Sequence, residues 1–295
     1  MARYTYVNGR FVPHRQAAVH IEDRGYQFAD SVYEVVALMN GNLADEQGHL
    51  DRLERSLSEL RIPMPMSRKA LQLKIRELVR RNRVKNAAVY MQVTRGVAKR
   101  DFKFPAAGTS STLVMTVYPV IYDIEGRKKS EKKAVTVPDI RWKRRDIKST
   151  AMTAQVLAKQ VAAEQGAYEA WMVDDEGFVT EGSSSNAWIV DNNGDLITRP
   201  TAHNSILKGV TRNAIQALCK KEKMKIVERP FTVDEALKAK EAFCSSATAI
   251  VYPIVEINGK KIGNGKAGPV TCKILDLYLA YAGDKKARQA AWDPK

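Results

Sequence analysis

The amino-acid sequence predicts an α+β (mixed α/β) fold in two domains. Three observations carry that prediction. Apolar residues recur at helical spacing in some segments, and in others they alternate or run on over short stretches. A length of 295 residues, 44% hydrophobic and 27% charged, is globular composition and leaves room for two domains. Between the halves lies Asp123 to Lys133 (DIEGRKKSEKK), which is polar, highly charged and suited to an interdomain connection or an exposed loop. The expected division is a small N-terminal domain over 1–120, a connection over 121–135, a larger domain over 136–283 and a loose tail over 284–295.

Each element has a local reason. Tyr4 to Val12 turns at Asn8-Gly9, a strong hairpin signal. Leu50, Leu53, Leu57 and Leu60 mark an amphipathic helix that ends before Pro63. Leu71, Ile75, Leu78 and Val79 mark a second helix with a basic outer face. Ala88 to Thr94 and Thr112 to Tyr118 read as strands. After residue 133, short strands (134–137, 169–173, 187–190, 242–244) alternate with helices near 150–165 and 211–223. Thr232 and Glu235 have capping-box spacing, Asn258-Gly259 marks a turn, and a last helix runs from about Val270 to Tyr281.

Composition excludes several classes of function. No run approaches the roughly 18 apolar residues of a membrane helix. The N-terminal MARYTYVNGR lacks an apolar signal core, so no membrane partner and a cytoplasmic location are expected. Three cysteines without CxxC spacing and four scattered histidines argue against a disulfide framework and against a metal site. The net charge is +15, and it is concentrated. Residues 68–103 hold twelve Lys or Arg against two acids, and residues 127–148 hold ten against three. A solvated basic face, a nucleic-acid footprint and a field that draws anionic small molecules all fit such clusters. The footprint lacks any helix-turn-helix, zinc-finger or aromatic RNP-like pattern, so a non-catalytic nucleic-acid-binding protein is the distant alternative.

Lys148 sits in DIRWKRRDIKS (139–149), and periodicity alone does not distinguish it from its basic neighbours. The motifs around it do. YEA at 168–170, VTEGSSSN at 179–186, Leu196-Ile197-Thr198 and LKGVTR at 207–212 follow in order. EDRGYQFADSVYEVV (22–36), HLDRL (49–53), YMQVTRG (90–96) and GKAGPVT (265–271) extend the pattern over almost the whole chain. Together they resemble the class IV (fold-type IV) pyridoxal-phosphate (PLP) aminotransferases, and among these the D-amino-acid group. Trp188 stands where that pattern has Phe or Tyr.

The resemblance implies PLP as cofactor, a small N-terminal domain and a larger PLP-binding domain. It makes Lys148 the Schiff-base lysine and the general base. Glu181 would face the pyridine nitrogen, keeping the ring protonated and electron-accepting. Leu207, Val210 and Thr211 at a helix start, with Ser246, Ala247 and Thr248 in CSSAT, would form the phosphate site. Ala247 replaces a hydroxyl residue, leaving only its backbone N–H. Arg52 is the family's phosphate-binding arginine, although it lies about 120° from the centre of the leucine stripe on its helix. Tyr33 and Arg100 match positions that grip the substrate carboxylate, and Phe102 stands where the family has a third, hydrogen-bonding histidine. The implied partners are amino and keto acids, with 2-oxoglutarate as acceptor in a ping-pong scheme, and a second copy of the chain in a homodimer. Branched-chain aminotransferase, aminodeoxychorismate lyase and (R)-amine transaminase share these central residues and are the alternatives within the family.

Overall fold

The computed structural model describes residues 3–283, and the expected loose tail at 284–295 lies outside them. The chain forms two compact units. One is Met1–Tyr122 with Ile147–Ala151, the other Asp123–Asp146 with Met152–Lys295. The chain therefore leaves the second unit after Asp146, contributes one short segment to the first, and returns at Met152.

The first unit contains β1 (Tyr4–Val7), β2 (Arg10–Pro13), α1 (Arg24–Phe28), β3 (Ser31–Met39), β4 (Asn42–Leu43), α2 (Glu46–Glu59), α3 (Arg68–Asn82), β5 (Ala87–Thr94) and β6 (Thr112–Pro119). Its six-stranded sheet has the order β2-β1-β6-β5-β3-β4, antiparallel throughout. Leu50, Leu53 and Leu57 of α2 and Leu71, Ile75 and Leu78 of α3 are buried with Val32, Val36 and Leu38 of β3. Each such side chain contributes about 1.5–3 kcal/mol by leaving water. The leucine spacing thus identified both helices, and the Ser67 hydroxyl caps α3 by accepting from the Ala70 N–H. β3 has no clean alternation, because SVYEVVALM is apolar almost throughout and buried along most of its length. Its signature is the near-continuous apolar run of a strand covered on both faces.

The second unit contains α4 (Ile124–Lys128), β7 (Lys132–Pro138), α5 (Thr153–Glu164), β8 (Glu169–Val173), β9 (Val179–Gly182), β10 (Asn186–Val190), β11 (Leu196–Thr198), α6 (Val210–Lys221), β12 (Ile226–Glu228), α7 (Val233–Leu237), β13 (Glu241–Ser246), β14 (Ile250–Ile257), β15 (Lys260–Lys261) and α8 (Pro269–Gly283). Its sheet runs β12-β11-β10-β13-β14-β7-β8-β9, with β15 on β14. The β7–β8, β7–β14 and β11–β12 pairs are parallel and the rest antiparallel. Trp171 and Trp188 are fully buried in this unit. The Trp188 ring stacks on Phe243 at 5.5 Å, and its Nε1–H donates to Ser245 Oγ at 2.9 Å, so the larger ring is fully accommodated.

Two local expectations change. The polar stretch after Tyr122 is not a bare loop. Asp123 caps α4 by accepting from the Gly126 N–H at 2.9 Å, and Arg127 is buried. High charge masked a helix of one turn whose guanidinium finds partners inside the unit. The capping box at Thr232 is half made: Thr232 Oγ1 accepts from the Glu235 N–H at 3.2 Å, but the Glu235 carboxylate pairs with Arg229. No helix among the described residues is long and apolar enough to cross a membrane.

Candidate active site

The residues singled out in the sequence divide between the two units. In the first, Ile147 is buried in the core and anchors the returning segment. Val32 and Ser149 bridge antiparallel, the Tyr33 N–H donates to the Lys148 carbonyl at 3.0 Å, and the Thr150 N–H donates to the Ser31 carbonyl at 3.1 Å. The Lys148 N–H donates to Ser56 Oγ of α2 at 3.3 Å. Its backbone is thus tied to strand and helix, so its side chain leaves from a fixed point. The ammonium lies 4.2 Å from the centroid of the Tyr33 ring, a cation–π contact worth about 0.5–2 kcal/mol. Tyr33 stacks on Tyr90 at 5.8 Å, and the Tyr90 hydroxyl donates to Gln92 Oε1 at 2.8 Å. Burial, with lesser help from Tyr33 and Tyr118, pushes the Tyr90 phenol up to about 12, so it is neutral.

Arg52 lies on a second cluster of this unit. The Glu34 carboxylate has no solvent exposure and takes Arg52 Nε at 2.7 Å, Arg52 Nη2 at 2.9 Å and His49 Nδ1 at 2.7 Å. Burial alone would raise the Glu34 carboxyl, but Arg52 and His49 overcome it and hold it at about 2. This explains the off-stripe position of Arg52: one helical turn past His49, it meets an acid on β3 rather than the leucine core. Glu34 and His49 went unrecognised in the sequence, although both lie inside quoted motifs. The available signal was an acid within an apolar strand together with His and Arg three residues apart on a helix.

Arg100 and Phe102 lie together on an exposed stretch. Phe102 is 81% exposed, its ring tilted against Phe28 at 5.6 Å, and the Arg100 guanidinium lies over both rings. Tyr33, the third expected substrate residue, is instead beside Lys148.

In the second unit Glu181 is buried at the end of β9. Its Oε1 accepts from Arg141 Nη1 at 2.5 Å and from the Leu207 N–H at 3.1 Å, and its Oε2 accepts from Asn186 Nδ2 at 3.0 Å. A carboxylate offers about four lone-pair positions. Among the described residues, then, Oε1 is filled and Oε2 keeps one place for another donor. Burial pushes the Glu181 carboxyl up, against the pull of Arg141. Arg141 stays cationic because Glu181 and Asp139 outweigh its own desolvation. Asp139 accepts from Arg141 Nη2 at 2.7 Å and from the Thr180 hydroxyl at 2.8 Å, and Arg145 Nε stands 3.2 Å away as an ion-pair partner. Neither Arg141 nor Asp139 was separable by sequence reasoning from the surrounding basic cluster.

The EGSSSN motif is built around a second buried acid. Glu169 accepts from the hydroxyls of Ser183, Ser184 and Ser185 and from the Ala170 N–H. Gly182 is required by close approach, since a Cβ there would lie 2.3 Å from Ser185 Oγ. Gly209 is similar: a Cβ would lie 2.0 Å from Oδ1 of Asn186, whose amide bridges Glu181 and the Leu207 carbonyl.

Gly209 also precedes α6, whose start has no side-chain cap, so its first N–H groups are available to an anion. Val210 and Thr211 are both buried there. Thr211 Oγ1 is buried and has no hydrogen-bond partner among the described residues. An orphaned hydroxyl beside uncapped helical N–H groups fits a phosphate ester. Ala247 and Thr248 fall in the three-residue turn from β13 to β14, following Ser246, whose Oγ accepts from the Ala249 N–H at 3.3 Å.

Residues 31–257 match the amino-transferase class IV family. The D-alanine aminotransferase of Bacillus licheniformis is 39% identical over 264 residues, covering 90% of this chain and 92% of that protein. That of Staphylococcus haemolyticus is 37% identical over 278 residues, covering 94% and 96%. Among solved structures, a T.th. branched-chain amino acid aminotransferase complexed with N-(5'-phosphopyridoxyl)-L-glutamate superposes with a TM-score of 0.85 at 25% identity, covering 96% of this chain and 94% of that one. Sequence, fold and the donor set at α6 agree: this chain belongs to the class IV aminotransferases.

Proposed function

We propose that this chain transfers amino groups from D-amino acids to 2-keto acids, with PLP as cofactor and Lys148 as the lysine that holds it. The observation that carries the substrate class is identity of 39% and 37% to D-alanine aminotransferases along nearly the whole chain. Likeness to branched-chain aminotransferases is one of fold at 25% identity, and it supplies the second reading.

Bound PLP supplies an electron sink that acidifies the substrate Cα–H. The chain supplies the rest. Lys148 Nζ takes the Cα proton and returns it on the cofactor side. Glu181, whose Oε2 keeps one acceptor place beside Asn186, would hold the ring nitrogen of the cofactor. Arg141, Asn186 and the Leu207 N–H keep Glu181 from rotating away. Thr211, the Val210 end of α6 and the Ser246–Thr248 turn would hold the phosphate, a role that the family likeness also gives to Arg52. Tyr33 and Arg100 orient the substrate carboxylate, and Phe102 contributes an apolar surface where a third donor is otherwise used. In the first half-reaction the D-amino acid leaves as its keto acid. In the second, 2-oxoglutarate collects the amine. The family likeness further supports a cytoplasmic homodimer.

The test is a screen of D- and L-amino acids against the visible absorbance of the purified protein. D-alanine is expected to shift the spectrum and L-leucine to leave it unchanged. The opposite pattern would establish the branched-chain reading, and intersecting rather than parallel double-reciprocal lines would exclude the ping-pong scheme.

A further inference from the structure

We infer that Arg127 is a positioning residue for the cofactor phosphate, acting through the turn that joins β13 to β14. The inference rests on assigning Ser246–Thr248 to the phosphate site. Arg127 comes from α4, in the stretch whose charge suggests a solvent-exposed loop, yet only 5% of it is exposed. Its Nη1 donates to the Ala249 carbonyl and its Nη2 to the Thr248 carbonyl at 3.4 Å. The guanidinium also lies 4.7 Å from the centroid of the Tyr252 ring on β14. Tyr252 in turn packs on Tyr168 at 5.0 Å, with Lys132 and Lys159 over the Tyr168 ring. One cation therefore reaches both the turn and the strand that follows it, and that strand is braced from behind.

This turn needs bracing. Ser246 pairs with Ile250, leaving Ala247, Thr248 and Ala249 as the loop. Three-residue hairpins place a left-handed residue at the bulge, ordinarily glycine. Here the left-handed position is Ile250, fully buried with φ 62°. A β-branched residue in that region is strained and persists only where its surroundings over-determine it. Arg127 provides part of that determination. Because a trans peptide directs its C=O and N–H to opposite sides, holding the Thr248 and Ala249 carbonyls turns the Ala249 and Ile250 N–H groups to the other face. The Ala249 N–H so turned donates to Ser246 Oγ at 3.3 Å, so Arg127 positions the serine that opens the phosphate-side turn.

The test titrates full-length wild type, Arg127→Met and Arg127→Lys with PLP and with pyridoxal, which lacks the phosphate. Amide exchange over residues 246–252 is followed in the same proteins. Wild type is expected to favour PLP. Arg127→Met is expected to lose about tenfold or more in PLP affinity, to keep pyridoxal affinity within about twofold, and to exchange faster in the turn. Arg127→Lys, which keeps a cation over Tyr252 with fewer donors, is expected to fall between; if Arg127→Met does not fold, Arg127→Lys carries the comparison. Parallel loss of PLP and pyridoxal, or unchanged PLP affinity, would overturn the role of Arg127. A wild type indifferent to the phosphate would instead remove the phosphate-site assignment, and the inference with it.

Discussion

Replacing Glu169 with alanine strips a buried carboxylate from five donors, and the structure shows which of them can recover. Lys159, whose Nζ lies 3.3 Å from Oε1, is 42% exposed and can swing into water, and Ser184 is exposed. Those two contribute little to the loss. The Ala170 N–H and the hydroxyls of Ser183 and Ser185 are buried away from water, with the Cys244 thiol beside Ser185 as a weak substitute. Each stranded donor costs about 1–3 kcal/mol, and the values do not add fully, so about 4 kcal/mol is expected for Glu169→Ala. That agrees with the 3–5 kcal/mol typical of removing one side of a buried pair. The melting temperature would fall by roughly 10 °C. Glu169→Gln keeps one oxygen for Ala170 and Ser183, and serine hydroxyls can reverse to accept from its amide, so it should cost only about 1–2 kcal/mol. Thermal unfolding followed by circular dichroism measures both. An alanine variant within about 1 kcal/mol of wild type, or a glutamine variant as damaging as alanine, would refute the view that this carboxylate organises the serine loop.

Three further outcomes follow from the site. Lys148→Ala should lower turnover by at least about 10²–10⁴-fold while the protein still binds PLP reversibly through its phosphate, and near-normal turnover would end the assignment. Glu34 has its carboxyl held at about 2, below the ordinary glutamate value of 4.5, so its contribution to stability is complete above about pH 4.5 and disappears as pH falls toward 2. The contribution is on the order of 3 kcal/mol. Glu34→Gln should therefore flatten the acid side of the stability profile by up to about 1.4 kcal/mol per pH unit between those values, and an unchanged slope in acid titrations would contradict the pairing. Phe102→His, at an exposed position, should change stability by less than about 0.5 kcal/mol yet lower the KM for D-alanine about fivefold by restoring a donor; a KM that does not move would remove position 102 from carboxylate binding.

Much of the fold was legible because it rests on local pattern. The leucine stripes of α2 and α3 and the Asn8-Gly9 hairpin declare themselves in a few residues. β3 did not, since a strand buried on both faces has no period to detect. α4 did not, because its decisive feature is a cation satisfied by carbonyls more than a hundred residues away. The site divides along the same line. Lys148 and Glu181 stood out through motif likeness, not through any property of their own. The ties around the motif residues, Asp139 and Arg141 at Glu181, Glu34 and His49 at Arg52, and Glu169 under the serine loop, are tertiary ion pairs and hydrogen bonds, and no spacing rule links Arg141 to Glu181 across 40 positions.

The supports also change the meaning of the basic clusters. Residues 127–148 read as a solvated face or an attractive field, but several of their cations pair with carboxylates or carbonyls of the fold. Arg141 and Arg145 flank Asp139, Arg141 reaches Glu181, Arg144 pairs with Asp146, and Arg127 closes on backbone carbonyls. The first unit repeats the arrangement, with Asp30 between Arg24 and Arg95 and Glu34 held by Arg52. Burying a carboxylate alone costs several kcal/mol, and a guanidinium repays this best because its forked donors match two oxygens at once. An acid recruited to hold a second acid in register needs such a cation between them, as Arg141 stands between Asp139 and Glu181. The excess of arginine in residues 127–148 is therefore partly a consequence of burying the carboxylates of Asp139 and Glu181, and only the remainder is left to face solvent.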